Sequence, residues 1–250
     1  VNSGNNELEI SGDRTFGGLT VNNGAAAIVK PGAKLDITNT LDVKSGGEFI
    51  LESNHQVGGL ASLKTNGNVI GNTKVRLTLP TNEWYYLSTP MSTPNTTQFG
   101  VGSIDDTYAY TYSTAKAWVK ENDPKELLKA EGMLVYYEDL SPTPKEEVTL
   151  EYSGVLNSGE VERTFTSKNY YLFGNPFPVS IDWQSDNWTR ENIYGTIWYR
   201  TRVNQEMVFV TYNKDAEENA RAALYPDNTK WGDEKELALI PPYQSVWIYR

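Results

Sequence analysis

One order of β-like segments occurs twice in this chain, and that doubling constrains the fold more than any other feature. Tyr85-Tyr86-Leu87-Ser88-Thr89-Pro90 returns as Tyr170-Tyr171-Leu172-Phe173-Gly174-Asn175-Pro176. Ile104–Tyr110 (IDDTYAY) matches Ile193–Tyr199 (IYGTIWY), and Ala117-Trp118-Val119 matches Val208-Phe209-Val210. Met133–Tyr137 (MLVYY) matches Ser245–Tyr249 (SVWIY). The offset grows from about 85 to about 112 residues, so the second copy carries insertions. Strands repeated in one order predict an internally duplicated, jelly-roll-like β-sandwich over residues 81–250, with halves at about 84–140 and 169–250. Such a frame uses most of the aromatic residues as packing.

The first 80 residues follow a different period. Leu19–Val29 (LTVNNGAAAIV) lines up with Leu41–Leu51 (LDVKSGGEFIL) at a shift of 22, each copy reading strand, Gly turn, strand. Lys34–Thr38 lies between the copies behind a Pro31-Gly32 turn, and Leu60–Thr65 opens a further coil. A period near 20 residues with three short strands predicts a short right-handed parallel β-solenoid over residues 1–80, with an antiparallel meander as the alternative. So short a stack exposes its ends, and docking on the sandwich is the natural cap.

Strands are expected at 74–79, 84–88, 106–113, 116–120, 133–138, 147–153, 160–166, 169–173, 194–201, 206–212, 237–240 and 244–249. Two helices are expected as well. Asp123–Gly132 offers an Asp cap, Pro at the first helical position and Gly past the end. Asp215–Leu224 offers an Asp cap and an acidic first turn.

A net charge of −10 opposes binding to nucleic acid, whose phosphates call for a basic face, and to an anionic membrane surface. The absence of cysteine removes disulfides, thiolate zinc sites and cysteine nucleophiles. No run of about 20 apolar residues is present to form a membrane-spanning helix. The beginning and end of the sequence read as those of a portion of a larger polypeptide.

The run Gly67–Arg76 (GNVIGNTKVR) leading into Glu83–Ser92 (EWYYLSTPMS) resembles a junction in large secreted proteins of the Bacteroidetes, where a β-solenoid is followed by a β-sandwich. Tyr108–Trp118, Gly132–Val135, Ser153–Gly159, Asn169–Trp183 (NYYLFGNPFPVSIDW) and Ile240–Ile248 (IPPYQSVWI) extend the resemblance over most of residues 60–250. It implies an exported, adhesin-like protein at the cell surface or outer membrane, and brings no catalytic residues with it.

The residues themselves point away from common active sites. His55, the single histidine, sits in a Gly-rich turn, where a Ser-His-Asp triad or a zinc site has little to build on. Asp105, Asp106, Asp182 and Asp186 could supply paired carboxylates or calcium ligands, but without the spacing of a calcium loop they read as solvated turn acids. No cofactor is implied. The best specific alternative is sugar binding by loop aromatics. Trp188, Tyr225, Trp231 and Tyr243 fall in loop-like segments beside Asp186, Asn187, Asn228 and Asp233, and the competing role for these rings is packing loops onto the sandwich. The expectation is therefore a non-catalytic, exported cell-surface module, adhesive or structural. It would present loops 92–105, 184–193 and 213–236 to an extracellular protein or glycan. The alternative is a carbohydrate-binding module of a secreted glycan-utilisation protein.

Overall fold

The computed structural model describes residues 6–115, 117–140, 146–203, 206–226 and 229–250. Three coils form the N-terminal part. They contain β1 (Glu7–Ile10), β2 (Arg14–Phe16) and β3 (Leu19–Val21); β4 (Ala26–Val29), β5 (Lys34–Ile37) and β6 (Leu41–Val43); and β7 (Glu48–Asn54), β8 (Ser62–Thr65) and β9 (Val69–Ile70). Each strand stacks in parallel on its counterpart in the next coil. Leu19 faces Leu41 and Ala26 faces Glu48, so the 22-residue sequence period is the stacking register. In the third coil Lys34 faces Ser62, a shift of 28, because six more residues enter in the turn that holds His55. Val21, Val29, Leu35, Ile37, Leu41, Phe49, Leu51 and Leu63 fill the interior. Each contributes about 1.5–3 kcal/mol by leaving water.

β10 (Thr73–Pro80) lies parallel on β7 and carries Val75, Leu77 and Leu79 inward. The chain then forms β11 (Trp84–Leu87), β12 (Thr107–Ser113), β13 (Ala117–Lys120) and β14 (Met133–Tyr137), an antiparallel sheet in the order β11-β14-β12-β13. β15 (Glu147–Gly154) returns to the solenoid and pairs antiparallel with β10, covering an edge that a parallel stack leaves open. The completed sheet runs β1-β4-β7-β10-β15. A ladder of alternating charge crosses it. Lys30 lies 3.5 Å from Glu9 and 2.7 Å from Glu52, and Arg76 lies 3.1 Å from Glu52 and 2.6 Å from Glu151.

The second antiparallel sheet is built from β16 (Tyr170–Gly174), β18 (Thr196–Val203), β19 (Glu206–Asn213), β20 (Ala222–Tyr225) and β22 (Ser245–Tyr249), in the order β16-β22-β18-β19-β20. β17 (Ile181–Asp182) pairs with β21 (Leu239–Ile240), which follows the one-turn helix α1 (Glu234–Leu237). β16, β22, β18 and β19 occupy the places of β11, β14, β12 and β13, so the duplication is one of topology.

The two registers also coincide. The pairs Tyr85–Val135, Ala109–Val135 and Thr111–Val119 become Tyr171–Ile248, Ile197–Ile248 and Tyr199–Val210. The sequence match set Tyr85 on Tyr170, Ala109 on Trp198 and Val135 on Trp247, one residue out in three of its four segments. Because strand side chains alternate between faces, that slip exchanges inward for outward positions.

The sheets meet at a reciprocal seam. Leu87 bridges to Gln244, and its counterpart Phe173 bridges to Glu131. The Ser88 N–H donates to the Tyr243 carbonyl at 2.9 Å, and the Gly174 N–H to the Ala130 carbonyl at 3.0 Å. Ala130 and Tyr243, at equivalent positions, both take left-handed φ, 55° and 66°. Little room is left for side chains here. A Cβ on Gly132 would lie 2.7 Å from the Leu172 Cγ and 2.6 Å from the Ser245 Oγ.

Two hydrophobic cores result. One runs continuously from the solenoid into the inner face of the first sheet, and the other lies beneath the inner face of the second, around Trp183, Tyr212, Ile197 and Ile248.

Three local expectations are corrected. Residues 160–166 form no strand; Phe165 packs its ring on Tyr171 instead. Residues 124–132 form no helix, because their backbone pairs with 94–96: Leu127 N–H donates to Pro94, and Thr96 N–H to Lys125. Residues 215–224 turn and then add β20 to the free edge of β19. In both would-be helices tertiary pairing overrides local propensity.

Candidate functional site

The outward faces of the two sheets are lined with rings. On the first, the face opposite the core carries Trp84 and Tyr86 of β11, Tyr108, Tyr110 and Tyr112 of β12, Trp118 of β13 and Tyr136 of β14. On the second it carries Tyr170 of β16, Trp198 and Arg200 of β18, Phe209 of β19, Tyr225 of β20, and Trp247 and Tyr249 of β22. Alternation explains the arrangement: the intervening residues Tyr85, Leu87, Ala109, Val135, Phe173, Ile197 and Ile248 pack into the two cores, and Val210 is buried.

The two faces meet at Trp247. Its ring centroid lies 4.7 Å from Tyr112, 5.6 Å from Trp118 and 6.0 Å from Tyr86, and the Arg200 guanidinium sits 5.7 Å over the Tyr86 ring. On one side of this junction Trp84, Tyr110, Tyr136 and Tyr108 form a chain of ring contacts at 5.0–6.1 Å. On the other, Trp198, Tyr170, Tyr249 and Tyr194 are linked at 4.8–5.5 Å. The tract stays open to solvent at Trp84 (38% exposed), Tyr170 (45%) and Tyr194 (53%).

A cleft of about 440 Å³ opens at the second-sheet end of this tract. Its floor follows one cross-strand row. Trp198 stands opposite Thr211, and Thr211 opposite Ala223, so side-chain height falls from indole to methyl across the sheet. Trp198 and Tyr225 supply ring walls, and Asn213, Asn219, Arg221 and Lys230 supply polar ones. The Lys230 Nζ donates to the Asn219 Oδ1 at 3.4 Å, and the Arg221 Nε to the Ala216 carbonyl at 3.1 Å.

The candidates read from sequence do not come together. Tyr225, 53% exposed, lines the cleft. Trp231 is half-buried beside β20, its backbone N–H donating to the Ala222 carbonyl. Trp188 packs over the second core, 4.8 Å from Trp183 and 6.3 Å from Phe173, with its indole N–H donating to the Asp182 carbonyl. Arg190 lies 5.0 Å over Trp183 and 4.7 Å over Trp188, and burial pulls its guanidinium below its ordinary pKa. Asp186 is solvated and 3.5 Å from Lys214, and Asn187 is exposed beside it. Asn228 lies outside the described residues, and Asp233 caps α1 by accepting from the Lys235 N–H. Tyr243, expected in a displayed loop, is interior. It is 1% exposed, its hydroxyl donates to the Ala61 carbonyl at 3.3 Å, and burial raises its pKa. Its left-handed backbone at the seam turns the ring toward the solenoid core.

Trp198, Asn213, Asn219 and Lys230 were missed because three strands and a long insertion bring them together. The available signal was parity: Trp198 alternates with Ile197 and Tyr199, which face the core.

Among the described residues no group of three or more His, Cys, Asp or Glu side chains is placed to hold a metal ion, and no helix is long and apolar enough to cross a membrane. A family model described as a domain of unknown function (DUF8693) matches residues 1–248, and the chain belongs to that family. No curated protein and no solved structure matches it.

Proposed function

We propose that this DUF8693 chain is a non-catalytic, exported cell-surface module, adhesive or scaffolding. It presents the ring-lined outer faces of its paired sheets to an extracellular protein or glycan. The observation that carries this reading is the aromatic tract. Both sheets bury apolar side chains on one face, yet the other face of each keeps Tyr and Trp in partial contact with water. Such rings offer large rigid contact area with a polar tip, the residue chemistry concentrated at binding interfaces. The resemblance to secreted Bacteroidetes proteins supports the placement outside the cell.

The test passes the purified full chain over immobilised extracellular glycoproteins and glycans, beside Tyr110→Ala and Trp84→Ala. Saturable retention that both variants weaken at least tenfold is expected. Retention indifferent to both substitutions refutes the role of the tract, and enzymatic turnover of a peptide or glycan refutes the non-catalytic assignment.

A further inference from the structure

We propose that the cleft beside Trp198 is a carbohydrate site that seats a pyranose ring of an extracellular glycan. This deepens, and rests on, the reading of the chain as a binding module. The cleft volume of about 440 Å³ falls within the roughly 300–1,000 Å³ of small-ligand sites. The lining matches the chemistry of a sugar. A pyranose presents C–H bonds on its face and hydroxyls around its edge, so it needs an aromatic surface beneath and both donors and acceptors around it. Trp198 and Tyr225 supply the surface. Thr196 supplies a hydroxyl that both donates and accepts, Thr211 an acceptor whose proton goes to the Ala223 carbonyl, and Asn213 and Asn219 amide N–H donors whose oxygens accept from the Asp215 N–H and Lys230, while Lys230 has further protons to donate.

The duplicated frame does not require this cleft. In the first sheet Tyr110 and Lys120 occupy the positions of Trp198 and Thr211, and Lys120 reaches back over the Tyr108 ring at 4.9 Å. Among the described residues no strand there corresponds to β20, and the stretch between β19 and β21 that carries β20 and the polar wall is an insertion of the second copy. The insertion thus creates a concavity where the symmetric frame is filled.

A nucleotide or other phosphate ligand fits less well. Arg221 is tied to the Ala216 carbonyl and Lys230 to Asn219, and the strands forming the floor offer no helix terminus or glycine-rich loop for phosphate oxygens.

The experiment is affinity electrophoresis of the full chain in gels containing soluble polysaccharides. One arm uses neutral β-glucan, xylan and mannan, and the other pectin and alginate, which carry uronic acids. Trp198→Ala removes the platform. Ala223→Leu fills the floor without removing a ring or a hydrogen-bonding group. Lys120→Ala alters the first sheet at the position equivalent to Thr211, and thermal melts establish that each variant is folded. Retardation by at least one polysaccharide is expected, weakened tenfold or more in Trp198→Ala and Ala223→Leu and within twofold of wild type in Lys120→Ala. Retardation only by pectin and alginate identifies a uronate ligand, and retardation by the neutral polymers a neutral hexose or pentose chain. No retardation by any polymer, or retardation that survives Ala223→Leu in a folded protein, overturns the proposal. Either result leaves the wider binding reading standing if the immobilised-partner assay still depends on Tyr110 and Trp84; loss of that dependence sinks the wider reading separately.

Discussion

Asn175 offers the sharpest test of how the second half is held together. Its side chain is fully buried where β16 ends. The amide nitrogen donates to the carbonyls of Val179 (2.8 Å), Ile240 (2.9 Å) and Pro241 (3.0 Å), while the amide oxygen accepts from the Phe177 N–H at 2.8 Å. One side chain thus ties the Pro176–Pro178 turn to the β21 segment, which Pro cannot do because it lacks an N–H. Asn175→Ala removes two amide protons, shared among three carbonyls, and the acceptor of one N–H. At roughly 1 kcal/mol for each of these three hydrogen-bonding groups, the loss is about 3 kcal/mol, a large fraction of the 5–15 kcal/mol that usually holds a domain together. Asn175→Asp keeps an acceptor for Phe177 but turns a charged oxygen toward three carbonyl oxygens. It should cost at least as much at pH 7, and regain stability as pH falls and a protonated carboxyl donates once. Urea unfolding followed by tryptophan fluorescence measures both, with the slope expected to stay near wild type. A loss below about 1 kcal/mol for Asn175→Ala, or a neutral Asn175→Asp, would show that these hydrogen bonds do not organise the turn.

Burial pushes the Glu52 carboxyl up, but hydrogen bonds and charge from Lys30 and Arg76 outweigh it and hold its pKa below the ordinary carboxylate value. Its contribution is therefore present above about pH 4.3 and lost as pH falls through the lower folded value. Melting of Glu52→Gln should start below wild type at pH 7 and fall less steeply between about pH 5 and 3; parallel acid limbs would exclude the ladder as a source of acid sensitivity. Gly132→Ala should cost about 1–3 kcal/mol by overpacking the seam against Leu172 and Ser245. Adding Ser245→Gly should recover part of that loss in a double-mutant cycle, whereas strict additivity would place the strain elsewhere. Trp247→Ala, removing the ring that joins the two sheets, should cost about 2–3 kcal/mol by chemical denaturation, against less than about 1 kcal/mol for Trp84→Ala on the open part of the tract. Equal costs would mean that Trp247 does not couple the halves.

The parts of the fold legible in the sequence are those fixed by local pattern. The 22-residue shift that aligns Leu19 with Leu41 is the stacking register, because each coil must return to the same place above the last. The order of the four repeated strands was legible for a similar reason, since a hydrophobic strand and its turn travel together in duplication. Faces were harder to read. In a strand such as Thr107–Ser113 (TYAYTYS) the aromatic residues are the outer set and the small Ala109 faces the core, the reverse of what size alone suggests. Aligning tyrosine with tyrosine therefore slid the copies by one residue and hid the tract. Tyr243 shows a second limit. A Pro-Pro-Tyr-Gln segment reads as an exposed loop, yet its left-handed backbone sends the ring inward, a choice the seam imposes rather than the segment.

Duplication gives the molecule an internal control that a single sheet would lack. Features present in both halves must serve the frame: the seam bridges, the left-handed residues at 130 and 243, and the inward aliphatic rows. Features present in one half carry no such obligation. The Asn175 turn and Trp183, though confined to the second half, are packing devices of its core, since both are buried and their polar atoms are satisfied within the protein. The outer rings divide in two. Trp247, Tyr86, Tyr112 and Trp118 meet across the junction and couple the sheets, so their aromatic character is explained by each other. Trp84, Tyr170 and Tyr194 remain open at the far ends, and Tyr225 belongs to a strand the first copy does not have. Exposed rings are not required by packing and add hydrophobic surface that favours self-association. Their concentration on two faces of one frame, rather than scattered over the surface, is what supports the proposed binding role.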